Sequence, residues 1–221
     1  MEKMPCQGSA ETASSVAHAT VTPAPSNSAW RQGLPMLTGS QVVLRELRFS
    51  DAPALLAAMS TMETSRFISP PPATVEGFEK FIAWALRQRA TGQYISFAVV
   101  ARGSDAAIGL FQIRSLEAGF GTSEWGFALA SKYWGTGMFT DGAELALRFA
   151  FEVLGAHRLE ARAALRNGRG TGALRKIGAI QEGVLRRSFL RNGEYLDQGL
   201  WSITVEDWLE AKAVWGSRLV H

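Results

Sequence analysis

Two glycines, Gly135 and Gly137, stand in "WGTGMF" directly before a long apolar segment that runs to Gly155. A helix starting there presents unpaired backbone N–H groups and about half a unit of positive charge at its N-terminus. Glycine removes the Cβ atoms that would shield those amides, so the stretch 135–140 is suited to hold a phosphate without a cationic side chain. An ordinary glycine-bearing turn meets the same local pattern, and context has to decide between them. The two familiar phosphate loops are excluded. "WGTGMFTDG" lacks the third glycine of G-x-G-x-x-G, and "GRGTGALRK" lacks a G-K-[ST] ending, which removes the dinucleotide and ATP readings.

The elements that must position these glycines follow from periodicity. "SEWGFALA" reads as a strand leading into the turn, and 137–155 as a helix whose Ala143, Ala146, Leu147, Ala150, Val153 and Leu154 form one apolar face. "HRLEARAAL" is the next strand, and Asn167 opens a shorter helix through "GTGALRKIG". Upstream, "QVVLRE" is a strand, Ser50 or Asp51 caps a helix with Pro53 in its first turn, and Thr74 caps a second helix ended by Gly92. "YISFAVVA" and "AIGLFQIRSL" form a hairpin; "AIQEGVLRRSFL" and "EYLDQGLWSI" form another, joined at Asn192-Gly193. "VEDWLEAKAVWGSRL" is a closing helix. The expected fold class is α+β: a mixed, mostly antiparallel sheet of about seven strands with helices on both faces and one parallel step.

Composition bounds the rest. With 221 residues, 47% of them hydrophobic, the chain suffices for one domain with a substantial core. Positions 1–34, rich in Ser, Ala, Thr and Pro, read as a flexible tail, leaving 35–221 as the single domain. The net charge of +3 carries no long basic arm, so small anionic molecules are better partners than nucleic acid. "LRRSFLR", with Arg186, Arg187 and Arg191 around Phe189, reads first as a solvated strand, with an RNA-binding surface as the weaker alternative. The single cysteine, Cys6, excludes a disulfide framework and a Cys-ligated metal site and points to a reducing compartment, the cytoplasm. No apolar run approaches the roughly 20 residues of a membrane helix. Monomer and homodimer are equally open.

Taken in order, these segments resemble the GNAT superfamily of acetyl-CoA-dependent N-acetyltransferases, in particular the RimJ/RimL-like branch of ribosomal-protein N-terminal acetyltransferases. The resemblance covers roughly 40–208. It rests on "VVLRELRFSDAPAL", on Glu124–Phe127 as E-x-G-[YF], on Trp134–Gly137 as W-G-x-G, on "NGRGTGALRKIGA", on Glu182-Gly183, and on "DQGLWSI".

The resemblance implies a GNAT-like fold with acetyl-CoA as cofactor and a primary amine as acceptor, a protein N-terminus or a small molecule. Transfer would be direct, in a ternary complex. By the same resemblance, Trp134, Gly135, Thr136, Gly137, Met138, Phe139 and Thr140 cradle the pyrophosphate. The pantetheine arm lies along the strand at Phe127, Ala128 and Leu129, pairing with it as an added strand, and Asn167 and Lys176 contact the cofactor from the next helix. Glu124 becomes a candidate base for the amine, and Tyr195 and Asp197 fall on the acceptor side. Two positions depart from the family pattern: Phe139 stands where Gly or Ala is usual, and Gly170 where the branch carries a Ser that serves the leaving thiolate. Thr171, next to it, is the substitute candidate. The gap at Gly170 also keeps a second reading open, a GNAT-like module that binds and senses acyl-CoA without turnover.

Overall fold

The computed structural model describes residues 28–217. Positions 1–27, Cys6 among them, lie outside the described residues. The last positions of the expected tail are packed. Ser28–Arg31 forms a 3-10 turn whose Trp30 is buried edge-on against Phe120, and the buried Arg89 donates to the Trp30 carbonyl at 3.1 Å. The folded chain therefore begins before the boundary at 34, because one large aromatic gives a polar segment something to bury.

The chain order is β1 (Leu37–Thr38), β2 (Val42–Glu46), α1 (Ala52–Met59), α2 (Met62–Ser65), α3 (Val75–Thr91), β3 (Tyr94–Ala101), β4 (Ala107–Ser115), β5 (Thr122–Leu129), α4 (Met138–Arg148), β6 (Arg158–Ala164), α5 (Gly168–Lys176), β7 (Ile180–Arg191), β8 (Glu194–Thr204) and α6 (Val205–Ser217). The strands form one sheet in the order β1-β2-β3-β4-β5-β6-β8-β7. It has eight strands rather than seven. The extra one, β1, is two residues long, too short to leave a period-two pattern.

β3 is buried along both faces, as befits a central strand. Its Phe97 and Val99 join the core under α4, while Ala98 and Val100 join the core under α1 and α3, so helices cover both sides of the sheet. Asp51, expected as a cap, stands at the N-cap position of α1 but makes no side-chain bond to that helix. Its buried carboxylate instead takes both terminal nitrogens of Arg45, at 2.7 and 2.8 Å, and the Arg48 N–H. The long helix also ends differently from its pattern. Regular α-helix stops at Arg148 and a π-helical turn, Phe149–Val153, carries the chain to Gly155, with Leu154 N–H donating to the Phe149 carbonyl at 3.0 Å. The wider turn keeps Phe149 against Phe97, ring centroids 5.1 Å apart.

One irregularity of the sheet positions the site. The parallel pair β5/β6 is bonded only over Thr122–Glu124 against Arg158–Glu160. Beyond that rung β5 follows β4 to Leu129 and β6 follows β8 to Ala164, so the two strands separate and the sheet opens into a V.

Candidate active site

Two cavities of about 590 and 330 Å³ flank the V, and both are lined by Phe67, Ile68, Phe127, Ala128, Asn167 and Gly170. They are two lobes of one cleft. The smaller reaches the start of α4, with Gly135, Gly137 and Thr140 in its wall; the larger reaches Glu124, Arg114 and Arg162. Sizes in this range suit small-molecule ligands.

At the smaller lobe, Gly135 and Gly137 have φ of 76° and 94°. This left-handed region is costly for residues bearing a Cβ, so the sequence places glycine at both. Space around Gly135 is open, whereas a Cβ at Gly137 would sit 2.7 Å from Gln41 Nε2. The turn is held from within: the Thr136 hydroxyl donates to the Tyr133 carbonyl at 2.7 Å, and Trp134 Nε1 donates to the Leu129 carbonyl at 2.7 Å. The bulk of Phe139 is absorbed by the core. Its ring packs 4.5 Å from that of Phe127 and 6.0 Å from that of Phe111.

Asp141, in the first turn of α4, is a determinant that the sequence pattern did not disclose. Its carboxylate accepts from the N–H groups of Ser40, Gln41 and Val42 and from the Ser40 hydroxyl, all at 2.8 to 2.9 Å. Burial pushes its pKa up, but the backbone bonds from Gln41, Ser40 and Val42 and the Ser40 hydroxyl outweigh that and hold it below the usual carboxylate value. A contact spanning about a hundred positions leaves no local trace.

Along β5, Ala130 N–H donates to the Ile108 carbonyl of β4. Strand alternation therefore turns the N–H and C=O of Phe127 and the N–H of Leu129 toward the gap. The Leu129 carbonyl is taken by the Trp134 indole. Opposite, α5 starts at Asn167, whose Oδ1 accepts Gly170 N–H at 2.9 Å. Gly168, Gly172, Ala173 and Lys176 of α5 line the smaller lobe, and neither Gly168 nor Gly172 would meet an atom with an added Cβ. Arg169, another residue the motif reading did not single out, stacks over the Trp134 ring at 5.1 Å and lines the same lobe.

The larger lobe holds Glu124 at the last bonded rung of β5 and β6. One carboxylate oxygen pairs with Arg114 of β4, and the other stands 3.9 Å from Arg162 of β6. Phe78, Phe81, Tyr94, Phe189 and the run Pro70, Pro71 and Pro72 form much of the remaining wall. Burial pushes the Tyr94 phenol well above its ordinary pKa, against a weaker opposing pull from Arg114, so it remains a neutral hydroxyl.

The cleft thus gathers Glu124, Phe127, Ala128, Leu129, Trp134, Gly135, Gly137, Phe139, Thr140, Asn167 and Lys176, while Thr136 and Met138 of the same turn line neither lobe. It does not gather Thr171. That residue is buried, lines neither lobe, and donates its hydroxyl to the carbonyls of Asn167 at 3.1 Å and Gly168 at 3.3 Å, satisfying it within its own helix. The space beside Gly170 is filled by Asn167, whose Nδ2 would lie 2.5 Å from an added Cβ. Tyr195 and Asp197 also stand off the cleft. Tyr195 is 60% exposed, and Asp197 accepts the N–H of Arg187 at 2.7 Å, pinning the bulge where Arg187 adopts φ 51°. Phe189 and Gln198 from the same hairpin take the acceptor-side places instead. Between the pairs Leu185/Gln198 and Phe189/Leu196, β7 carries two more residues than β8, an irregularity that local pattern does not mark.

The residues present fit an acyl-CoA: exposed amides at a helix N-terminus, an unpaired strand edge, and a cleft running from one to Glu124. A family model described as an acetyltransferase (GNAT) domain matches residues 41–180. A Bacillus subtilis (strain 168) protein named YoaA, an uncharacterized N-acetyltransferase, is 26% identical over 174 residues, covering 76% of this chain and 96% of that one. Two solved structures share the fold. Mycobacterium smegmatis RimJ in complex with CoA-disulfide superposes with a TM-score of 0.71 at 21% identity, covering 79% of this chain and 89% of that one. The ribosomal-protein-S5-alanine acetyltransferase of Vibrio fischeri superposes with a TM-score of 0.69 at 20% identity, covering 79% and 98%.

Proposed function

The chain belongs to the GNAT acetyltransferase family, and we propose that it is an N-acetyltransferase that moves acetyl from acetyl-CoA directly to a primary amine within the cleft. The observation that carries this reading is the parting of β5 and β6 beyond Glu124, which joins the glycine-flanked start of α4 to a carboxylate through one continuous opening.

The amides of 135–140 hold the pyrophosphate, reinforced by the α4 dipole and by Lys176 and Arg169 at the rim. The backbone of Phe127 and the Leu129 N–H align the pantetheine arm, and Asn167 meets its thioester end. Acetyl-CoA supplies a thioester whose carbon–sulfur bond breaks as the amine nitrogen bonds the acetyl carbon, with the nitrogen's proton leaving and the thiolate gaining one. Glu124 receives the acceptor's N–H, directly or through one water, and orients its lone pair toward the gap. Absence of a cysteine from the described residues agrees with direct transfer. The name of the Vibrio fischeri enzyme supports a protein acceptor, a small-molecule amine is the other acceptor class, and a single cysteine suits the cytoplasm.

Thr171 faces its own helix, so α5 offers no hydroxyl to the leaving thiolate from that position. This keeps the alternative of an acyl-CoA sensor in view. Thiol release from acetyl-CoA, measured over a panel of amines, separates the two: amine-dependent release supports the enzyme, and acetyl-CoA binding without release across the panel supports the sensor.

A further inference from the structure

We infer, building on the acetyl-transfer reading, that the acceptor is a free α-amino acid with a large apolar side chain, held as a zwitterion between Glu124 and Arg162. Three features of the larger lobe lead there. Its ionisable lining within reach of Glu124 is one carboxylate and two guanidiniums, Arg114 and Arg162, so the lobe is net positive. Arg114 is engaged by Glu124, whereas Arg162, 42% exposed, approaches that carboxylate only to 3.9 Å and retains donors for a second anion. A polyamine or other polycation meets the wrong field here.

The lining beyond these charges is largely apolar and aromatic, with Phe78, Phe81, Tyr94, Phe189 and the three prolines in it. Such a wall rewards a large apolar side chain on the amine. The walls are also joined. Arg191, at the end of β7, donates to the carbonyls of Ser65 at 2.8 Å and Arg66 at 3.3 Å, tying the β7/β8 hairpin to the segment that carries Phe67 and Ile68. An amino acid places its ammonium and carboxylate two bonds apart on one carbon, matching adjacent opposite charges on the neighbouring strands β5 and β6.

Full-length protein is assayed for thiol release with L-phenylalanine, 2-phenylethylamine, spermidine and a peptide amide with N-terminal Phe, and acetyl-CoA binding is followed separately by thermal unfolding. The expected result is kcat/KM for L-phenylalanine at least about tenfold above 2-phenylethylamine, with spermidine and the peptide amide poorer still. Arg162→Ala should bring the first two acceptors to within about twofold of each other, through KM rather than kcat, while the acetyl-CoA shift is kept. Equal or better use of 2-phenylethylamine, spermidine or the peptide amide overturns the proposal, and so does turnover of any of these with none of L-phenylalanine. Absence of turnover with every amine, with or without acetyl-CoA binding, instead removes the acetyl-transfer reading beneath it.

Discussion

The two lobes of the cleft are built by opposite means. The smaller lobe draws most of its lining from two short stretches, 134–140 and 167–176, whose glycines bring amides to the surface, and is completed by the 63–68 segment and β5. The larger lobe is side chain, drawn from α1, α3, β3, β4, β5, β6, the 67–72 segment and the distant β7/β8 hairpin. One lobe is written locally and the other only by the fold. In enzymes of this kind a shared donor can be bound by conserved local geometry while acceptor choice is left to long-range packing, which varies freely.

Breaking the local lobe should have the largest effect. Gly137→Val forces a β-branched residue into φ 94° and against Gln41, a strain of about 1–3 kcal/mol that the turn relieves by moving its amides. Amine-dependent thiol release should fall to background. Next is the junction of the lobes. Glu124→Gln keeps the shape but removes the proton acceptor, and kcat should drop by about 10²-fold with acetyl-CoA binding unchanged.

Asp141 tests whether the local lobe needs distant support. Asp141→Ala removes four hydrogen bonds that fasten the β1–β2 turn to α4 and should cost about 2 kcal/mol, read as a lower unfolding midpoint. Because the folded pKa lies below the unfolded value near 3.9, this stabilisation is complete above the unfolded pKa and is lost as pH falls through the folded one. The gap between wild type and Asp141→Asn should therefore narrow below about pH 4. The smallest effect is expected at Thr171→Val, where kcat should stay within about twofold; a tenfold loss would mean that the hydroxyl reaches the reacting centre after all.

Legibility follows the same division. Alternation, helical spacing and caps such as Thr74, which accepts Gly77 N–H, are local and placed seven strands and most helices. Gly135, Gly137 and Asn167 were readable because their backbone demands are local too. Three kinds of signal were not. Asp141 and Arg191 act across about a hundred positions or more, so nothing near them in sequence marks their partners. The hairpin is the second: an irregular register between Leu185 and Phe189 sets which β7 residue reaches the cleft, and the lining residues are Phe189 and Gln198 rather than Tyr195 and Asp197. Thr171 illustrates the third: one place along a helix is about 100° of rotation, enough to turn a hydroxyl from a cleft into its own helix.

The central claim is that the donor is bound by the α4 amides independently of the acceptor lobe. It is tested most directly by thermal unfolding of wild type, Gly137→Val and Glu124→Gln with and without acetyl-CoA, using NADH as a control. Ligand at about 100 times its dissociation constant adds roughly 2.7 kcal/mol, several degrees for a domain of this size. A shift specific to acetyl-CoA is expected in wild type and in Glu124→Gln and absent in Gly137→Val. An equal shift in Gly137→Val, or none in wild type at saturation, would contradict it.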